Sequence, residues 1–156
     1  MPVTTDIVES WVRPRVVMRR LLNRGTSEAF ALTFLLIFLL LAFAAATPNT
    51  LRQAGDPADP LTPQLFGMGL GILATIPLWY LLAALGHLVA QGLGGKGSHF
   101  GARLALFSAL VVISPAMLAQ GMVQGMIGGP VAAGFGLAVA LLFVGFWAVM
   151  LREVEQ

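Results

Sequence analysis

Residues 30–46 read FALTFLLIFLLLAFAAA and contain no charged side chain. A membrane-spanning helix needs about 20 largely apolar residues, because the hydrocarbon layer is ~30 Å thick and each helical residue rises ~1.5 Å. The whole chain has the same character: of its 156 residues, 58% are hydrophobic and 10% are charged. A soluble domain has roughly 25% charged residues, which it needs to cover its core. The sequence therefore predicts an integral membrane protein of the all-α class.

Four apolar stretches are long enough to cross a bilayer, namely residues 29–46, 65–93, 101–124 and 130–151. The first connection between them is rich in proline and charge, and the other two are rich in glycine, as turns are. We therefore predict a polytopic transmembrane helical bundle with four spans. Its predicted parts are a cytoplasmic amphipathic segment (1–28), the four-span domain (29–151) and a cytoplasmic tail (152–156).

The basic residues favour one side of the bilayer. With four spans, every Lys and Arg except Arg52 falls on the side of the N terminus. The positive-inside rule places that side in the cytoplasm. We expect a bacterial inner-membrane protein with both termini cytoplasmic. The motif AFAAATP (42–48) also resembles a signal-peptidase site, but the polar stretch before the apolar run is long for a secretory signal of about 15–30 residues in total.

An interfacial amphipathic helix is predicted before the first span. Its apolar positions follow helical spacing, and they are Pro14, Val17, Met18, Leu21 and Leu22. Its polar positions lie on the opposite face, and they are Arg15, Arg19, Asn23 and Arg24. A basic amphipathic helix beside a span usually lies at the interface, with its apolar face in the acyl boundary. Arg15 and Arg19 are therefore candidate contacts to lipid headgroups. The alternative is that these arginines only set the topology.

The stretch LGHLVAQGLGGKGSHFGARLALF (85–107) brings polar side chains close to the spans. It is not a nucleotide P-loop, because Ala90 stands where the first glycine is needed and Gly97 where Ser or Thr is needed. Zinc sites normally use three or four protein ligands, but the chain has only 2 His and no Cys. Ser98 and His99 are neighbours in a turn, which does not hold a nucleophile against its base. We predict no catalytic, cofactor-binding or metal site.

Two weaker candidates remain in this stretch. His87 and Gln91 are four residues apart and share a helix face, so they form a candidate polar site near the end of the second span. Lys96 and Arg103 flank the glycine-rich turn, where they are candidate contacts to lipid headgroups.

A small oligomeric transporter or channel is the alternative to a structural role, and it would need a polar path through the bundle. That path requires His87, Gln91, Gln120 and Gln124 to converge on one cavity. Their positions in the spans instead favour opposite interfaces.

Small residues at four-residue spacing predict close helix packing, either within the chain or with a partner. Examples are Gly67 with Gly71, Gly101 with Ala105 and Ala109, and Gly121 with Gly125. The expected partners are membrane lipids and a homo-oligomer or larger membrane complex. The net charge of +2 is too small to indicate nucleic acid.

The order of these motifs resembles the bacterial branch of the Yip family, named after eukaryotic membrane proteins that interact with Ypt/Rab GTPases. The matching positions are Arg13-Pro14, His87-Leu88, Gly94-Gly95 and Ser114-Pro115. The family usually has five spans, and its eukaryotic members have a long hydrophilic N-terminal region, so Rab binding is not carried over. The resemblance implies a non-enzymatic multi-span protein that organises a membrane or serves as a scaffold or accessory subunit.

Overall fold

The computed structural model describes residues 3–25, 27–53 and 61–156. Within these ranges the chain is helical, with no strand. The helices are α1 (Val3–Val12), α2 (Pro14–Leu22), α3 (Glu28–Gln53), α4 (Leu61–Ala74), α5 (Ile76–Gly92), α6 (His99–Met126) and α7 (Gly129–Glu155).

The prediction of four spans is confirmed. Four helices are long and apolar enough to cross a membrane: Glu28–Arg52, Leu61–Gly92, His99–Met126 and Gly129–Glu155. Each begins before its predicted start, and all except the second also end after their predicted end. In particular, α3 continues through Pro48, so the predicted start of the first loop at residue 47 is wrong. The rest of that loop, residues 54–60, lies outside the described residues.

The second span consists of α4 and α5, which are separated at Thr75. Pro77 has no backbone N–H and cannot complete the hydrogen bond to the preceding turn. The Thr75 hydroxyl donates to the Ile72 carbonyl, at 2.6 Å, and accepts from the Trp79 indole N–H at 3.0 Å. The break between the two helices thus lies just before the proline, which cannot continue the hydrogen-bonding pattern of α4.

Helix α6 lies at the centre of the bundle, because residues 100–114 are almost all buried. Helix α3 packs along it through small residues. A Cβ atom on Gly121 would overlap the Ala45 carbonyl, and one on Gly125 would lie 2.6 Å from Pro48 Cβ. The predicted close packing is thus confirmed for α6. On α4, by contrast, a Cβ atom added to Gly67 or Gly71 would have no other atom within 4 Å.

Helices α1 and α2 fold back on each other around Arg13, and we call residues 3–22 the N-terminal hairpin. The pair is joined by an ion pair in which Arg20 Nη1 lies 2.7 Å from Glu9 Oε2. The hydrogen bond from Arg20 lowers the pKa of the Glu9 carboxyl below its ordinary value. Glu9 therefore keeps its charge, and its bond to Arg20, into mildly acidic solution.

The apolar face of α2 is not where the sequence placed it. Val17, Met18 and Leu21 are buried in the same core as α6, and Met18 Sδ lies 3.8 Å from the Ser108 hydroxyl. The amphipathic helix is present as predicted, but protein covers its apolar face, so the predicted contact of this face with acyl chains is wrong. The reason is that helices α6 and α7 are as apolar as lipid, and amphipathicity alone cannot distinguish the two.

Candidate functional site

The polar side chains of the second span meet the last turn of α7. His87 is 1% exposed, and its Nδ1 lies 2.6 Å from Glu155 Oε1. Its Nε2 lies 3.0 Å from Gln91 Nε2, which is the contact that the four-residue spacing predicts. A carboxylate accepts and an amide nitrogen donates, so these partners assign the ring proton to Nδ1, which donates to Glu155, while Nε2 accepts from Gln91.

Glu155 is the residue that the sequence did not identify. It lies 68 residues from His87 and beyond the predicted end of the fourth span. Helix α7 continues past residue 151 and carries Glu155 into the bundle, where it is buried. Its other oxygen, Oε2, accepts from the Gly97 N–H at 2.9 Å. The sequence signal at this end of the chain is the alternation of acidic and apolar residues in EVE (153–155), which does not specify a partner.

The glycine-rich turn fits around this carboxylate. A Cβ on Gly95 would lie 2.6 Å from Glu155 Oε2, and one on Gly97 would lie 2.7 Å from the Val154 carbonyl oxygen. Gly94 has φ +92°, which favours glycine. The Lys96 N–H donates to the Glu155 carbonyl at 3.0 Å and so satisfies a carbonyl at the end of α7. Gly95 and Gly97 are thus required by the close approach of α7, and Gly94 by its backbone conformation.

The neighbouring polar residues have structural contacts. The ring centroids of His87 and His99 are 4.3 Å apart. The Ser98 hydroxyl accepts from the Gly101 N–H at 3.0 Å, which makes it the N-cap of α6. In the part of the chain that the structure describes, no group of three or more His, Cys, Asp or Glu is placed to hold a metal ion.

The four predicted headgroup contacts are not brought together. Arg15 and Lys96 are exposed. Arg19 contacts Glu153, and Arg103 Nη2 lies 2.5 Å from Glu28 Oε1. Arg15 and Lys96 therefore keep their charges available to phosphate, whereas Arg19 and Arg103 also connect elements of the bundle.

The glutamines of α6 lie at the other end of the molecule. Gln120 and Gln124 line a cavity of about 250 Å³ between α3 and α6, together with Asn49. The main-chain carbonyl of Gln124 accepts a hydrogen bond from Arg52 Nη1 at 3.2 Å. Neither glutamine meets His87 or Gln91, so the described polar residues do not converge on one cavity.

Two apolar grooves open on the outside of the bundle. One, of about 600 Å³, lies between α3 and α4, and its lining includes Leu36, Phe43 and Phe66. The other, of about 730 Å³, lies between α5 and α7, and its lining includes Leu85, Trp147 and Arg152. Such walls suit acyl chains.

The four long apolar helices and the packed α6 define a polytopic helical membrane protein. A family model, the Yip1 domain, matches residues 8–155. The chain therefore belongs to the Yip1 family, and the resemblance seen in its motifs is confirmed. Comparisons with curated proteins and with solved structures each gave no match.

Proposed function

We propose that this Yip1-family protein is a non-enzymatic scaffold that organises lipids or an accessory subunit in a bacterial inner membrane. We call the end of the bundle formed by the glycine turn and the end of α7 the polar end, and we propose that it faces the cytosol with both termini. The observation that carries the proposal concerns the ionisable and hydroxyl side chains that the structure describes inside the bundle. The buried members of this set in α5, α6 and α7 all have partners within the chain, and they are His87, Ser108, Ser114, Glu153 and Glu155.

The contacts of His87 support this argument. Both ring nitrogens have partners, and Glu155 uses its two oxygens on His87 and Gly97. Ser108 and Ser114 donate to carbonyls of their own helix, at 2.7 and 2.9 Å. A catalytic or transport role would require at least one of these groups to have a free donor or acceptor aimed into a cavity.

The chemistry that remains is exposed positive charge, which Lys96 carries at the polar end and Arg15 carries on the N-terminal hairpin. Arg15 and Lys96 are exposed, and among the described residues no carboxylate lies within ion-pair distance of either. Each basic residue near an anionic leaflet contributes about 1 kcal/mol. We therefore infer that the protein selects anionic phospholipid around its polar end.

The test is lipid and protein co-purification. Native membranes are solubilised directly into polymer nanodiscs, and mass spectrometry measures anionic phospholipid relative to the bulk membrane. We expect enrichment in the wild type, and a fall of about fivefold in the lipid-binding constant for Lys96→Gln, since ~1 kcal/mol is lost. Arg52→Gln is the matched control at the other end and should keep the enrichment.

The same preparation tests the transporter alternative. Reconstituted vesicles should show no ion or solute flux that scales with the amount of protein. Flux of that kind, or nanodiscs with bulk lipid composition and no associated protein, would contradict the scaffold proposal.

A further inference from the structure

The N-terminal hairpin lies beside the spanning part of the bundle, not at its end. The Trp11 indole N–H donates to the Val112 carbonyl at 3.1 Å, and its ring meets Phe146 edge-on at 5.2 Å. Arg103, which pairs with Glu28, lies near the polar end of α6. Val112 lies further along the same helix, and the helical rise separates Val112 from Arg103 by about 13 Å. The turn of the hairpin is therefore well inside the apolar length of α6.

The outer surface of the hairpin carries both apolar and basic side chains. Val8 is 71% exposed and Val12 78% exposed, and Val16 is also exposed. Beside them Arg13 and Arg15 are exposed, and the described part of the chain places no carboxylate within ion-pair distance of either. Exposed valines suit acyl chains, but arginine in hydrocarbon is costly unless headgroups or water reach it.

The apolar surface differs in length on two sides of the bundle. On the face of α7 that carries the hairpin, exposed apolar side chains begin near Val131 and the hairpin is met at Phe146, about 22 Å further along the helix. On the second span, exposed apolar side chains run from Phe66 to Val89, about 35 Å along the helix. A hydrocarbon layer of ~30 Å fits the second side and exceeds the first. Tilting the bundle would not equalise two lengths measured along its own helices.

We propose that the N-terminal hairpin is a wedge in one leaflet that thins the bilayer beside α7. It takes the place of lipid in the leaflet at the polar end, with acyl chains against Val8 and Val12. Headgroups descend to Arg13 and Arg15: Arg13 acts on the Glu9 carboxylate without an ion pair, and Arg15 has no described carboxylate within ion-pair distance. This activity would give the proposed organising function a physical means, but it does not depend on headgroup selection or on a protein partner.

The first test measures the depth of Val12. The chain has no cysteine, so Val12→Cys can carry a single fluorescent label in vesicles that contain lipids brominated along the acyl chain. We expect quenching by acyl-chain bromine, as for Leu81→Cys on the lipid-exposed face of α5, whereas a label at Asn23→Cys should respond to aqueous iodide. A Val12 label that behaves like the Asn23 label would overturn the proposal.

The second test measures thinning. In nanodiscs formed from a mixture of short-chain and long-chain phosphatidylglycerol, the wild type should retain short-chain lipid above the bulk ratio, because mismatch is then smaller. The double variant Arg13→Leu/Arg15→Leu should return to the bulk ratio. Lys96→Leu, which removes one charge at the polar end, should keep the preference.

These outcomes separate the wedge from the proposed function. Loss of anionic-headgroup enrichment in Lys96→Gln concerns the proposed function alone. An absent chain-length preference in the wild type, or an unchanged preference in the double arginine variant, would contradict the wedge even if headgroup selection stands.

Discussion

Replacing Gly121 with leucine should separate α3 from α6 and destabilise the bundle by at least about 3 kcal/mol. A Cβ at this position overlaps the Ala45 carbonyl, which is backbone and cannot rotate away. Overpacking usually costs about 1–3 kcal/mol, and the cost is at its upper end where the backbone must move. The measurement is the midpoint of unfolding in a detergent micelle, followed by loss of the monodisperse peak in gel filtration.

Gly71→Leu is the matched control for this prediction. Gly71 also lies in a span, but a Cβ there has no atom within 4 Å. The added side chain should meet lipid or detergent and leave the midpoint nearly unchanged. Equal midpoints for the two variants would show that α3 and α6 do not approach each other as described.

Breaking the pair of His87 and Glu155 should be the second large effect. Removal of Glu155 leaves a buried imidazole N–H without its acceptor, which costs about 1–3 kcal/mol, and removal of His87 takes a donor from a buried carboxylate, which costs more. We therefore expect both His87→Ala and Glu155→Ala to lower the unfolding midpoint strongly. Arg152→Ala, an exposed residue one turn earlier on α7, is the control and should have a small effect.

A double-mutant cycle shows whether the two effects share one cause. Residues in direct contact usually couple by about 0.5–3 kcal/mol. The double variant His87→Ala/Glu155→Ala should therefore be less unstable than the sum of the single variants. Strict additivity would mean that His87 and Glu155 do not interact in the folded protein.

The spans could be predicted because hydropathy depends only on the side chains of one segment. The break near Pro77 has a cause of the same local kind, since a proline removes a hydrogen bond within one helical turn. The continuation of α3 through Pro48 could not be predicted. There the hydroxyls of Thr47 and Thr50 donate to carbonyls one turn back, at 2.9 and 3.2 Å, within an unbroken helix.

The polar site could be predicted only in part. The contact of His87 with Gln91 follows from helical spacing, but Glu155 reaches them through the packing of α7 against the glycine turn. Likewise, the four-residue spacing of Gly67 with Gly71 is the same as that of Gly121 with Gly125, yet only the second pair packs against another helix. Identical local patterns acquire different roles because tertiary contacts decide which face is covered.

The most direct test of the proposed topology is to determine on which side of the membrane two single cysteines lie in intact bacterial cells. Thr62→Cys precedes the second span's apolar run and Lys96→Cys follows it, and both positions are exposed. If this polypeptide crosses the bilayer as an even-numbered bundle with its polar end in the cytosol, a membrane-impermeant maleimide labels position 62 in intact cells and position 96 only after lysis. Labelling of both positions in intact cells, or of position 96 alone, would contradict it.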